Sequence, residues 1–265
     1  MSKQFNPQTY QPIDYRTYVL GNQARQGINL KRLNLLTPNE LKLWKASEEF
    51  HDARDDPGHA EFSTIMALRI LPYYPDAIRE IAIPTIMLHD DGWYGGDPYA
   101  WRKAVEEARA KNNLKSLDSP EKRKAHQDKG AEMALNLFQR LNYPREEYRQ
   151  ESADIIRDHD TRLKPTTPSG KVVWDSDYLW RVSLPCNQIY LFSEGINDPT
   201  EILKRAEDCY LNVTHPRRLD DVAQQIARIE ITNTLFYKSP KQAEKILSSN
   251  GYLEELETVK KFYSN

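Results

Sequence analysis

Cysteine is nearly absent. The 265 residues hold two, Cys186 and Cys209, which excludes a disulfide framework and any CxxC zinc site. Glycine is scarce as well, with ten residues, and charged and apolar residues interleave at helical spacing almost throughout. Long apolar runs are missing: the stretch Ile81 to Leu88 is interrupted by Pro84 and falls far short of the ~20 residues of a membrane span. The first residues, MSKQFNPQTYQP, carry no apolar signal core. Nor does charge of one sign dominate. There are 37 basic and 39 acidic side chains, a formal charge of −2, which lacks the basic bias of a dedicated nucleic-acid binder. What is present, fifteen tyrosines and five tryptophans, argues against a disordered chain. The length suffices to bury a core without metal or disulfide staples. The expectation is a soluble, cytoplasmic protein that does not enter a membrane.

The punctuation of the chain predicts helices. Residues 1–36, rich in Gln, Asn and Tyr without a sustained period, read as an amino-terminal arm. Thr37-Pro-Asn-Glu40 is a capping box with proline at the first helical position, so a helix is expected over 38–52. A second, over 58–71, puts Phe62, Ile65, Met66 and Ile70 on one face. A third begins at Pro75 and ends at His89-Asp90-Asp91-Gly92, where Gly92 suits a left-handed terminating position. A charged helix over 98–113, helices near 119–142 and 145–160, and a loop over 161–171 follow, and helix resumes from 172 to about 182. Helices over 199–213, 216–237, 239–249 and 252–263 complete the chain. The expected fold is all-α, with a core over 37–195 and a helical extension over 196–265 packed on it. The alternation of Leu/Ile with Lys/Glu in that extension suits a lid, an enlargement of the core or a homo-oligomer face alike.

There are six histidines: His51, His59, His89, His126, His159 and His215. A His-Asp doublet occurs three times, at 51–52, 89–90 and 159–160, where chance alone gives about 0.4. The 89–90 pair ends an apolar helix, so its side chains emerge at a buried helix end beside a loop that can open to solvent. His59 opens the second helix, His126 lies in the helix that holds Gly130, and His159 closes the helix that holds Ile155 and Ile156. Asp177 follows the long loop, in Trp174-Asp-Ser-Asp-Tyr-Leu-Trp180. Five helices thus contribute an imidazole or a carboxylate each, and the third contributes the doublet. His51-Asp52, in a charged segment, reads as a surface pair or one that orients a ligand, and His215, before Pro-Arg-Arg, as a solvated helix cap.

In order and spacing this set resembles the HD-domain superfamily of metal-dependent phosphohydrolases. The resemblance covers about residues 48–182, and the order H…HD…H…H…D falls on His59, His89-Asp90, His126, His159 and Asp177. LHDDG stands where the family has LHDIG, the His126 helix looks like its H…GA..A..L helix, and Asp175-Ser-Asp-Tyr-Leu resembles its DADxL segment, whose second aspartate points to Asp177 over Asp175. The resemblance implies an HD-type helical bundle and one or two divalent transition-metal ions. Four imidazoles with carboxylates suit Mn, Fe, Co, Ni or Zn rather than a Ca or Mg cage. Asp90 would bridge, with His59, His89 and Asp177 on one ion and His126 and His159 on the other.

The implied activity is hydrolysis of a phosphoester of a nucleotide or other small phosphorylated metabolite by a metal-activated water. Asp91 is placed to act either as a general acid or base or as a carboxylate orienting a ligand histidine. Arg162 and Lys164 on the loop, with Arg181 one turn after Asp177, are candidates to hold the phosphate. Trp93 is a candidate to stack on a base or sugar, its alternative being a packed aromatic under a loop. Two other readings stand beside this one. A minority of HD-fold proteins are di-iron oxygenases that cleave C–P or C–C bonds, although the tyrosine-plus-glutamate pair before their first histidine lacks its tyrosine here. The other is a non-catalytic module that binds a nucleotide as a signal, against which the retention of every ligand position argues.

Overall fold

The Thr37 hydroxyl accepts from Glu40 N at 3.3 Å while the Glu40 carboxylate accepts from Thr37 N at 2.6 Å, and this reciprocal cap launches α1, Pro38–Ser47. A computed structural model of the protein describes residues 4–16, 35–51, 56, 58–97, 99–111, 117, 119–191, 195–210 and 219–264. Among them the chain forms twelve α-helices and no strand, an all-α architecture. After α1 come α2 (His59–Ile70), α3 (Arg79–Leu88), α4 (Ala100–Ala110), α5 (Pro120–Leu141) and α6 (Glu146–Asp158). Then follow α7 (Pro168–Leu179), α8 (Leu184–Tyr190), α9 (Pro199–Tyr210), α10 (Asp221–Lys238), α11 (Pro240–Ser249) and α12 (Leu253–Ser264).

Several boundaries differ from the expected ones for local reasons. α1 stops at Ser47, whose hydroxyl bonds the Leu43 and Trp44 carbonyls at 3.0 and 3.2 Å, rather than running to 52. α3 begins at Arg79 instead of Pro75, because Tyr74 to Ala77 close a turn and Ile78, extended, gives its N–H to the Ser169 hydroxyl on α7. α7 starts at Pro168, four residues ahead of its expected start. Thr167-Pro-Ser-Gly170 reads as loop, yet the Thr167 hydroxyl caps Gly170 N at 3.0 Å and Pro168 takes the first helical position. The short α8, capped by Ser183 on Cys186 N, lies in a segment with no expected element. Gly92 is right-handed (φ −82°), so its conformation does not explain the glycine. Its position does: a Cβ there would lie 2.0 Å from the His126 carbonyl oxygen and 2.2 Å from Gly130 N. Glycine lets this turn press against the α5 backbone.

The core is built on α3, fully buried from Ile81 to Leu88, which packs against α2, α6 and α7. α5 lies along α6. The helices after 196 continue the same hydrophobic core: α10 packs on α7, α8 and the turn Trp180–Val182, and is itself flanked by α9, α11 and α12. The described part of the arm, 4–16, is pinned to α10. Glu230, fully buried, accepts from Tyr10 Oη at 2.8 Å, Ile13 N at 3.2 Å and Arg69 Nη1 at 3.3 Å, while Asn233 donates to the Ile13 carbonyl at 2.8 Å. No described helix is long and apolar enough to cross a membrane.

Candidate metal centre

Four helix segments bring their imidazoles to one point beneath the end of α3. His89 follows the last residue of α3, and its Nδ1 donates to the Ile86 carbonyl at 2.8 Å, one of the carbonyls a helix end leaves unpaired. A carbonyl only accepts, so Nδ1 carries the proton and Nε2 presents its lone pair to the centre. His159 repeats this at the end of α6, with Nδ1 on the Ile156 carbonyl at 2.8 Å. His59, the first residue of α2, holds Nδ1 on the buried Asp56 carboxylate at 3.1 Å and points Nε2 at Asp177 Oδ1, 2.9 Å away. His126 comes from the middle of α5, its Nε2 3.4 Å from His159 Nε2.

The carboxylates lie between these rings. Asp90 divides its oxygens: Oδ1 is 3.5 Å from His126 Nε2 and 3.3 Å from His159 Nε2, while Oδ2 is 3.7 Å from His89 Nε2 and 3.3 Å from His59 Nδ1. Asp177 Oδ1 is also 3.5 Å from His89 Nε2. Asp175, the other acid of its segment, is turned away and accepts from Tyr74 Oη at 2.5 Å. The four histidines are almost fully buried, whereas the Asp90 and Asp177 side chains keep 19 % of their surface, so the centre opens on its carboxylate side.

The donor set suits a cation. His89 Nε2 is buried and makes no hydrogen bond. Burial disfavours charge on His59, yet Asp56 foremost, with Asp177 and Asp90, lifts its imidazole well above the ordinary range. His159 is likewise opposed by burial but raised to about 9 by Asp160, then Asp90 and Asp177. Asp177 is held well below the usual carboxylate range, its own burial outweighed by His59 and His89. His126 is pushed down by burial. Buried His/Asp groups of this kind can hold a metal ion, as can the further trio Asp56, His59 and Asp90.

Not every candidate residue joins the centre. Asp91 is buried on the other side of its turn, 4.0 Å from His51 Nε2, because consecutive residues of a helical turn point about 100° apart. His51 is itself enclosed, its ring 4.3 Å from that of Trp44 and its basicity lowered to about 3 by burial and then by His89. Asp52 and His215 lie outside the described residues. Trp93, a candidate either to stack on a base or sugar or to pack under a loop, does the second: it is 2 % exposed, lies on the His126 ring and donates Nε1 to Asp90 Oδ1 at 3.0 Å. Arg162 is paired with Asp158 and donates to Thr166 Oγ1 at 2.5 Å. Lys164 is exposed and outside the adjoining cleft, and Arg181, also exposed, sits over the Tyr178 ring at 5.1 Å.

That cleft has a volume of about 470 Å³ and runs from His159 between Asp158, Arg162, Thr166, Val173 and Trp174. Three residues at the centre escape the sequence reading. Asp56 orients His59, and its signal was the acid three residues before the first histidine. Gln127, buried next to His126, faces the N–H groups of Asp160, His159 and Thr161, and in the amide orientation that satisfies both its ends its oxygen accepts from them at 2.7, 3.0 and 3.3 Å. Asp160 lies 3.5 Å from His126 Nε2. No family model, curated protein or solved structure matches the chain.

Proposed function

We propose that this chain is an HD-type metal-dependent phosphohydrolase that cleaves a phosphoester of a nucleotide or other small phosphorylated metabolite. The observation that carries the reading is the placement of Asp90, one carboxylate with an oxygen turned to each of two imidazole pairs. His59, His89 and Asp177 on one side and His126 and His159 on the other, with Asp90 between, would hold one or two divalent cations, which would supply an activated water and charge stabilisation for the leaving oxygen of a phosphoester.

The chain's own groups do the rest. Asp56 and the Ile86 and Ile156 carbonyls fix the imidazole orientations, and Trp93 holds the Asp90 carboxylate by donating to its Oδ1. The buried rings keep bulk water from the inner side, and the exposed edges of Asp90 and Asp177 leave one approach. The cleft at His159 is within the size range of small-molecule sites, and Arg162 on its wall would exchange its bonds to Asp158 and Thr166 for phosphate oxygens.

The test is purification without chelator or His-tag, metal analysis, and assay of the Mn(II)-, Co(II)- and Ni(II)-loaded protein against nucleotides and sugar phosphates. Phosphate or nucleoside release that disappears in Asp90→Ala is the expected result. Iron with oxygen consumption in place of hydrolysis would move the assignment to the oxygenases. Binding of nucleotide without turnover or metal would make the chain a non-catalytic module.

A further inference from the structure

The doublet His159-Asp160 repeats the local construction of His89-Asp90. Both histidines follow the last residue of a helix, with φ/ψ of −57/−35° at His159 and −58/−34° at His89. Both bind Nδ1 to the carbonyl three residues back at 2.8 Å, and their rings lie 5.1 Å apart. In both, the following aspartate turns its Oδ2 toward the preceding imidazole, 3.7 Å at Asp90 and 3.9 Å at Asp160. Each doublet also meets a histidine from the helix before: His59 at 3.3 Å from Asp90 Oδ2, and His126 at 3.5 Å from Asp160 Oδ2.

From this repetition we infer that Asp160 is a metal ligand, the terminal carboxylate of the second half of the centre. It stands there as Asp177 stands in the first. The second ion then has four donors from the chain: Asp90 Oδ1, His126 Nε2, His159 Nε2 and Asp160 Oδ2. Five of their six separations run from 3.3 Å (Asp90 to His159) through 3.4 Å (His126 to His159) and 3.5 Å (His126 to either aspartate) to 3.9 Å (His159 to Asp160), and all four atoms lie within 4.8 Å of one another. Bonds of 2.0–2.2 Å to a tetrahedral ion put its donors roughly 3.4 Å apart, so these distances are close to the edges of one coordination shell. The first half groups three donors, His59, His89 and Asp177, while Asp90 Oδ2 lies 3.7 Å from His89 Nε2 and meets His59 at its Nδ1. The second half is thus a two-histidine, two-aspartate group, and the first a two-histidine, one-aspartate group beside it.

Asp160 is also held for this role. Its backbone N–H, with those of its two neighbours, is bound by the buried Gln127 amide from α5, so the carboxylate leaves a fixed stretch of chain. Its side chain keeps only 12 % of its surface.

The inference rests on the two-cation reading, and one experiment separates them. Zn(II) and Co(II) are counted per chain by mass spectrometry in the native protein, Asp160→Asn and Asp177→Asn, with circular dichroism to establish folding. The expected result is two ions in the native chain and one in each variant. In the Co(II) protein the visible bands, intense for four-coordinate and weak for six-coordinate cobalt, should lose about half their intensity in Asp160→Asn. Two ions, with native affinity and spectrum, in Asp160→Asn would overturn the role of Asp160 and leave the two-cation centre intact. No ion in the native chain would overturn both. If Asp160→Asn fails to fold, the native Co(II) spectrum decides: a weak six-coordinate signal from the second ion contradicts the four-donor shell.

Discussion

Trp93 lies flat against His126, with ring centroids 3.8 Å apart and 10° between the planes. The same indole donates to Asp90 Oδ1, so one side chain supports two groups of the second half of the centre. Trp93→Phe retains a ring to stack and removes only the donor. Losing such an outer partner costs about 10–100-fold in metal affinity. The expected outcome is about a 10-fold weaker second ion, read by competitive titration with a chromophoric chelator, and native-like circular dichroism.

Gly92 and Gly95 should respond differently to alanine. At Gly92 the new Cβ meets backbone, the His126 carbonyl oxygen and Gly130 N, which cannot move without shifting α5. A loss of about 3 kcal/mol or more is expected in urea unfolding, with His126 displaced. Gly95 has φ +73° and nothing within 4 Å of an added Cβ, so the cost there is backbone strain alone, about 1 kcal/mol. Equal losses at the two positions would contradict the close approach.

Glu230→Ala strips the acceptor from Ile13 N and Tyr10 Oη and takes the carboxylate partner from Arg69, which keeps its bonds to the Gln11 carbonyl and Tyr10 Oη. A destabilisation of about 3 kcal/mol is expected, with earlier proteolysis of the arm. Glu230→Gln retains a carbonyl oxygen for Ile13 and should cost only about 1 kcal/mol.

Metal and protons compete for the same imidazoles. His159 is raised to about 9 and His59 is raised as well, so below that pH a cation must displace protons. Apparent affinity should rise with pH up to about 9 and then level, with proton release detected by calorimetry in buffers of different ionisation enthalpy. The metal-free protein should behave in the opposite sense. A group whose folded pKa is raised adds stability that is complete below the ordinary 6.5 and is lost as pH rises through about 9. Its melting temperature should therefore fall over that interval, while the loaded protein stays level.

Much of the fold is legible where a side chain caps its own helix. Thr37-Pro-Asn-Glu40 announces α1 because both capping bonds are local. The start of α3 is not legible, since it depends on Ser169, ninety-one residues away, taking the Ile78 N–H. Thr167-Pro-Ser-Gly170 shows the same letters as a loop and as a capped helix start, and only packing distinguishes them. At the centre, the histidines and Asp177 stand out through their spacing. Trp93 does not, because exposed stacking and buried support require the same residue. Asp160 had a signal in the third His-Asp doublet, but that signal gains meaning only when the ends of α3 and α6 are seen side by side.

The arm's attachment also imposes an order of events. Ile13 and Glu230 are separated by 217 positions, and Tyr10 and Glu230 by 220. A chain made from its amino end has produced every group from His59 to Asp177 before Glu230 exists. The helices that carry the imidazoles can therefore meet while the arm is still unattached, and closing this long loop comes later. On a ribosome the arm is a late seal, and synthesis halted before residue 230 leaves Ile13 without its acceptor.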